Sequence, residues 1–230
     1  KLTFIADPIL DPISYGFTKS IERYIYLREK YPDIHIMIGI GNITELTHAD
    51  TSGINMIMLG IVEELKLNHI LTTQVSRHCS TVIRETDLAR RIIHAASENN
   101  ITPKHINNGL LINHGHKDYA YTSDELSDMK SNIKDKNYRI YVNDDGVHLF
   151  NKTIYKVFSD PYDFYEFLEV DEDSGHSFYL GVELARAQIA YQLRKEYSQD
   201  EELDWGCLID KKADNKLQSK ELGPTFKKRK

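Results

Sequence analysis

Cysteine is scarce in this chain of 230 residues: Cys79 and Cys207 stand alone, with no Cys-x-x-Cys spacing. That excludes a disulfide-stapled scaffold, and both are read as reduced thiols in a cytoplasmic protein. Long apolar runs are missing too. No window approaches the roughly 18 residues that a membrane span requires, so no membrane partner is expected. Nor is there an excess of positive charge: the formal charge of -6 gives no overall attraction for nucleic acid. A signal peptide is absent, and the sequence begins with Lys1 rather than Met, which leads us to expect a piece of a longer polypeptide.

What is present is organised around Ile5-Ala6-Asp7-Pro8-Ile9-Leu10-Asp11-Pro12-Ile13, with two carboxylates and two prolines directly after an apolar run too short for a helix. Residues 2–6 have the length and β-branched content of a buried strand. Pro8 removes a ladder donor, so the strand should end at about Asp7. Asp7 then sits at a strand's carboxyl end, the edge where ligands bind in α/β architectures. Asp11 either shares the same cavity or turns the loop before Pro12.

Three strand-then-helix units follow one another. The first strand leads through Gly16 to a helix over about 18–30, stopped by Tyr31-Pro32. A second strand over 34–38 ends in Gly39-Ile40-Gly41-Asn42. Its helix is the clearest periodic signal in the chain, with Ile54, Ile57, Met58, Ile61, Val62 and Leu65 at helical spacing. The third strand, 70–73, ends in Gln74 and precedes a helix over 86–97. Such alternation predicts parallel strands with right-handed crossovers. Three units cannot close a barrel, and an open sheet with one bare face is a poor free-standing domain, so further strands are expected from the same chain or a partner.

From about Asn99 the texture changes to a polar connector. Residues 138–142 and 147–150 then alternate around Asn143-Asp144-Asp145-Gly146, a hairpin signal. Ser177 can cap a long helix reaching about Tyr197, on which Glu183, Arg186 and Arg194 read as a solvated face. Tyr179, Tyr191 and Trp205 read as core and interface. His114, His116 and Asp118 offer metal-ligand types but read as incidental, so no metal site is expected.

The strand ends collect the chemistry. Asp7 and Asp11 follow the first, Asn42, Glu45, His48 and Asp50 the second, Gln74, Ser76, Arg77 and His78 the third. A carboxylate there would accept two N–H bonds from a flat heterocycle, and an asparagine would donate and accept at once. Asn42 after Gly41 also reads as a left-handed turn residue, and Glu45 and Asp50 as helix-start acids.

Ala6-Asp7-Pro8-Ile9-Leu10-Asp11-Pro12-Ile13, Gly41-Asn42-Ile43-Thr44-Glu45-Leu46-Thr47 and Gly175-His176-Ser177-Phe178-Tyr179-Leu180-Gly181, with Gln199-Asp200-Glu201 and Asp204-Trp205-Gly206, resemble the dihydropteroate synthase-related proteins. These are pterin-binding barrel proteins of organisms that make tetrahydromethanopterin. The resemblance implies an α/β fold, the C-terminal part of a TIM (β/α)8 barrel of about three βα units, followed by a smaller α+β domain. By it, 1–98 is the partial barrel, 99–137 a connector, 138–210 the α+β domain and 211–230 a disordered tail.

It also implies a transferase joining a dihydropterin-methyl diphosphate to an arylamine, with Asp7 matching the family aspartate that holds the pterin and Asn42 the asparagine that contacts its reactive side. From their places at the strand ends, Arg77 joins Asn42 as a catalytic candidate, and Asp11 and Gln74 join Asp7 and Asn42 as substrate-binding candidates. The alternatives are a methyltetrahydropterin-dependent methyltransferase and a non-catalytic pterin-binding protein. No tightly bound cofactor is expected. Pterin is the substrate, and Mg2+ would accompany the diphosphate. The expected partners are pterin, arylamine, the N-terminal half of the barrel in the same polypeptide, and a second copy in a homodimer. In place of the Ser-Arg-Lys and Arg-x-His that synthases carry after the last two strands, this chain has Gly41-Asn42-Ile43 and Thr73-Gln74-Val75.

Overall fold

A computed structural model describes residues 4–170 and 173–209. The expected tail over 211–230 lies outside the described residues. Two compact units emerge, one of 4–112 joined by 206–209, the other of 113–205.

In the first unit β1 (Ile5–Ala6), β2 (His35–Gly39) and β3 (His69–Leu71) form a sheet in the order β1-β2-β3, with both pairs parallel. Its helices are α1 (Phe17–Lys30), the single turn α2 (Gly41–Thr44), α3 (Thr51–Glu64) and α4 (Val82–Glu98). Alternation along β2 decides which face of the sheet is buried. Ile36 and Ile38 are 0% exposed and pack with Tyr24 of α1, Met58 and Leu59 of α3 and Ala89 of α4. On the opposite face Ile5 is 50% and Leu71 52% exposed. Gly16 begins α1 at φ 116, a backbone setting that favours glycine, and a Cβ there would stand 3.1 Å from Oδ2 of Asp11. At the other end of α1, Arg28 donates to the carbonyls of Leu65 (2.9 Å), Lys66 (2.9 Å) and Ile34 (3.1 Å), closing the carboxyl end of α3.

A buried polar knot joins α3 to α4. Glu85 is 1% exposed, and its carboxylate accepts from Thr51 Oγ1 (2.6 Å), Asn55 Nδ2 (2.9 Å) and Thr81 Oγ1 (2.7 Å). Asn55 in turn accepts from Thr86 (3.2 Å). Thr51 and Thr81 stand at the starts of α3 and α4, so the positive ends of two helix dipoles face this carboxylate.

The second unit is built on an antiparallel sheet, order β4-β5-β6, of β4 (Arg139–Asn143), β5 (Gly146–Phe150) and β6 (Tyr155–Phe158). The predicted hairpin is present, closed by Asp144 and Asp145 with Gly146 at φ 144. Helix α5 (Ser123–Ser131) precedes it, opened by a reciprocal capping box between Thr122 and Glu125. Helix α6 (Ser174–Leu193) lays Leu180, Leu184, Ala187 and Ala190 against Tyr138, Ile140, Val147 and Leu149. Its cap is Asp173, which accepts from His176 N–H (2.9 Å), rather than Ser177. Gln199 covers the free edge of β4 with its side-chain amide, accepting from Ile140 N–H (3.0 Å) and donating to Tyr138 O (3.2 Å). Glu183 is 2% exposed, not part of a solvated face. It accepts from Arg186 (2.7 Å) and from the hydroxyl of Tyr197 (2.8 Å), whose pKa is driven up by burial and then by that carboxylate.

The barrel expectation is overturned. Closing a (β/α)8 barrel takes eight parallel strands, and the described residues hold one open parallel sheet and one open antiparallel sheet of three strands each. β1 and β3 are outer edges, so the strands enclose no lumen, and the expected partnership with a barrel half has no support in this fold. Among the described residues no helix is long and apolar enough to cross a membrane.

Removing the Glu85 carboxylate would strand two buried donors, on Thr51 and Asn55, and the half-buried hydroxyl of Thr81. Glu85→Ala is expected to lower stability by on the order of 3 kcal/mol, read as a fall in urea midpoint at unchanged slope.

Candidate functional site

The loop after β1 is held under tension. Ile9, a β-branched residue, adopts φ 62, in the left-handed region that such side chains rarely enter. Both of its backbone polar groups are gripped. Asp7 Oδ1 accepts the Ile9 N–H (2.9 Å), and Arg23 Nη2 donates to Ile9 O (2.6 Å). Arg23 also donates to Pro8 O (2.9 Å) and pairs with Asp11 Oδ2 (2.8 Å), so Asp11 belongs to the clamp that turns the loop. Asp7 itself is exposed; its Oδ1 additionally accepts from Tyr24 OH at 3.2 Å, while no described residue bonds its Oδ2. Tyr24 is fully buried, and burial followed by the charge of Asp7 raises its pKa far above the usual phenol range.

Asn42 lies in α2 rather than in a left-handed turn. Its Nδ2 donates to Leu10 O at 2.7 Å, tying the loop after β1 to the end of β2, and among the described residues its Oδ1 makes no hydrogen bond. Gly41, beside it, is needed for close approach, because a Cβ there would come within 2.9 Å of Thr73 Oγ1.

Glu45 is the lock between the second and third strand ends. Its carboxylate accepts from Val75 N–H (2.8 Å), Ser76 N–H (2.8 Å) and Thr73 Oγ1 (3.0 Å). These bonds, the Val75 amide first, hold its pKa down to about 2. Thr44 O accepts from His78 Nε2 (3.0 Å), which fixes the tautomer, and from Cys79 Sγ (3.3 Å). Burial, then the charge of Glu45, pushes the Cys79 thiol up to about 11, so it is inert at neutral pH. Gln74 donates to Ser80 O. Arg77 opens the 3-10 turn Arg77–Cys79, exposed, with no ion pair or side-chain hydrogen bond among the described residues.

The structure therefore brings Asp7, Asp11 and Asn42 together through one loop, and Gln74 and Arg77 onto the next rim segment. A shallow depression near Pro8, Arg23 and Tyr26 lies against α1, and its lining includes neither Asn42 nor Arg77. His114, His116 and Asp118 are exposed, and among the described residues no group of three or more His, Cys, Asp or Glu can hold a metal. Arg23, Tyr24 and Glu45 were not picked out as clamps from the sequence. Arg23 and Tyr24 lie on a helix and Glu45 directly follows a single helical turn, and in all three the partners are remote in sequence, so periodicity alone does not reveal the contact.

A protein of Methanocaldococcus jannaschii, described as uncharacterised, is 30% identical over 225 aligned residues, a match that covers 86% of this chain and 42% of that protein. The chain thus spans less than half the length of the curated relative it matches. No protein family and no solved structure matches it.

With these findings the dihydropteroate synthase-related identification falls. A relative without an assigned activity brings no transferase chemistry, and the open sheet provides no barrel active site. The arylamine transferase, the methyltransferase and the pterin-binding alternative fall together, as do pterin and arylamine as partners. Physically, the readings required a lumen into which the strand-end side chains converge, and the described strands do not form one.

The Glu45 lock has a definite acid signature. A carboxyl whose folded pKa is depressed contributes stability that is present above the ordinary value of 4.5 and lost as the pH falls toward about 2. The amide proton resonances of Val75 and Ser76 should titrate with a midpoint near pH 2, and Glu45→Gln should abolish that titration and speed exchange of both amides.

Proposed function

We propose that the first unit binds a small polar molecule at the carboxyl ends of its parallel strands, taking N–H or O–H donors on Asp7 and Asn42 and an anionic group on Arg77. One observation carries this reading, the strained Ile9. A β-branched residue in the left-handed region costs about 1–2 kcal/mol, and a chain that merely connected strand to helix would relieve it with glycine. Here Asp7 and Arg23 instead grip both sides of the strained unit, and the Ile9 side chain is 60% exposed, so core packing does not account for it. The loop is thereby held in one shape, with Oδ2 of Asp7 and Oδ1 of Asn42 left as acceptors. Preorganisation of that kind lowers the entropy lost on binding. Arg77 adds a fork of donors suited to a carboxylate or phosphate. Two strand spacings separate the ends of β1 and β3, roughly 10 Å, the length of a nucleotide-sized molecule.

Guanosine monophosphate, which has a donor edge and a phosphate, is a suitable probe, with adenosine monophosphate as the control lacking that edge. Saturable amide shifts at residues 7–11 and 74–78 are expected with the first. Asp7→Asn should weaken binding by about tenfold or more. Unchanged affinity in that variant, or equal binding of both nucleotides, would remove Asp7 from the site.

Replacing the strained residue separates stability from binding. Ile9→Gly should leave unfolding free energy unchanged or raise it by up to about 1 kcal/mol, while reducing affinity for the same probe.

A further inference from the structure

Three side chains with metal-binding atoms share the open face of the parallel sheet at adjacent register positions. His35 and Met37 lie two residues apart in β2 and so point to the same side, and Met37 is the register partner of His69 in β3. The two imidazoles touch: Nδ1 of His35 lies 3.0 Å from Nε2 of His69, with ring centroids 5.2 Å apart. His35 is exposed, while Met37 and His69 are half-buried; none belongs to the core on the helix side.

As it stands the pair shares one N–H···N hydrogen bond, and among the described residues the thioether of Met37 has no hydrogen-bond partner. We propose that His35, Met37 and His69 form a binding site for a soft cation of the copper(I) type. The spacing suits it, because two nitrogens each about 2.0–2.1 Å from one metal in a tetrahedral or square arrangement stand about 2.9–3.4 Å apart. Donor chemistry selects the ion: imidazole accepts zinc, copper or nickel, whereas a thioether favours copper(I). The register neighbours on this face, Ile5, Gly39 and Leu71, bring no oxygen side chain for a hard cation and supply an apolar surround. Gly39 leaves open space above the strand, since a Cβ there would meet nothing within 4 Å. Binding needs only a tilt of the two rings. The imidazole that donates in the metal-free pair moves its proton to its other ring nitrogen, so both facing nitrogens offer lone pairs without net proton loss.

The test is a titration of the 230-residue chain with copper(I) against a chromophoric chelator, under reducing conditions. One equivalent should bind, His35→Gln and His69→Gln should each weaken binding by about a hundredfold, and Met37→Leu by about tenfold. Copper K-edge absorption should report two nitrogen ligands and one sulfur, the sulfur disappearing in Met37→Leu. Imidazole nitrogen resonances of His35 and His69 in the unmodified protein give a readout independent of how the variants fold, and both should shift. Unchanged affinity in the histidine variants, unmoved imidazole resonances, or loss of binding on alkylating the thiols, which would place the metal on Cys79 or Cys207, would each overturn the site.

Discussion

The complete burial of Ile36 and Ile38 is the constraint from which the rest of the first unit follows. Side chains alternate along a strand, so committing these two to the helix side commits His35, Met37 and Gly39 to the other, and a slip of one residue would exchange the sets. Parallel pairing then carries the choice outward. Ile5 joins His35, and His69 and Leu71 join Met37 and Gly39. The same direction of chain puts the turns after all three strands on one rim, where Asp7, Asn42 and Arg77 stand. A packed face, an open face and a polar rim are thus three results of one register.

Polar groups, rather than apolar ones, hold the connections in place. The loop after β1 rests on Arg23 and Asp7, the loop after β3 on Glu45, and the α3–α4 contact on Glu85. In the second unit His148 does the same inside the sheet. It is fully buried, its pKa lowered by desolvation; Nε2 donates to Asn143 Oδ1 (2.7 Å), and Nδ1 accepts from Tyr155 OH (2.9 Å). Glu45, Glu85 and His148 bond only neutral partners, hydroxyls, side-chain amides and backbone N–H groups. A buried polar group satisfied in this way specifies one arrangement, because any alternative packing leaves it short of partners.

Local signals in the sequence were legible where one element decides them. Helical spacing from Ile54 to Leu65 gave α3, Tyr31-Pro32 ended α1, and the Asp-Gly turn joined β4 to β5. Strand-helix alternation correctly implied parallel pairs. It did not carry the step to a barrel, because alternation governs how neighbouring strands pair and is silent on how many there are. Asp7 and Asn42 were recognised as strand-end residues, but the partners they use, Arg23, Tyr24 and the carbonyl of Leu10, are remote in sequence. Glu183 shows the same limit from the other side: on a helix it reads as a solvated charge, and only the return of residues 197–200 buries it.

Strain and satisfaction have different causes in this chain, and the contrast supports the binding site proposed at the strand ends. Glu45, Glu85 and Glu183 each accept three bonds, as groups do when their task is to hold a structure together. Asp7 spends one oxygen on keeping Ile9 in a backbone setting that an isoleucine would otherwise leave, and keeps the other clear. Both internal donors of Asp7, the Ile9 N–H and the Tyr24 hydroxyl, fall on Oδ1; a carboxylate engaged only in folding would gain from one on Oδ2 as well, and the neighbouring Arg23 carries enough N–H groups to provide it. Arg23 gives them to Pro8, Ile9 and Asp11 instead. The loop is therefore shaped at a cost in backbone energy while an acceptor faces water at its edge. Stored strain beside an unsatisfied acceptor stabilises nothing in the free chain, and it becomes intelligible once a donor-bearing molecule completes the set.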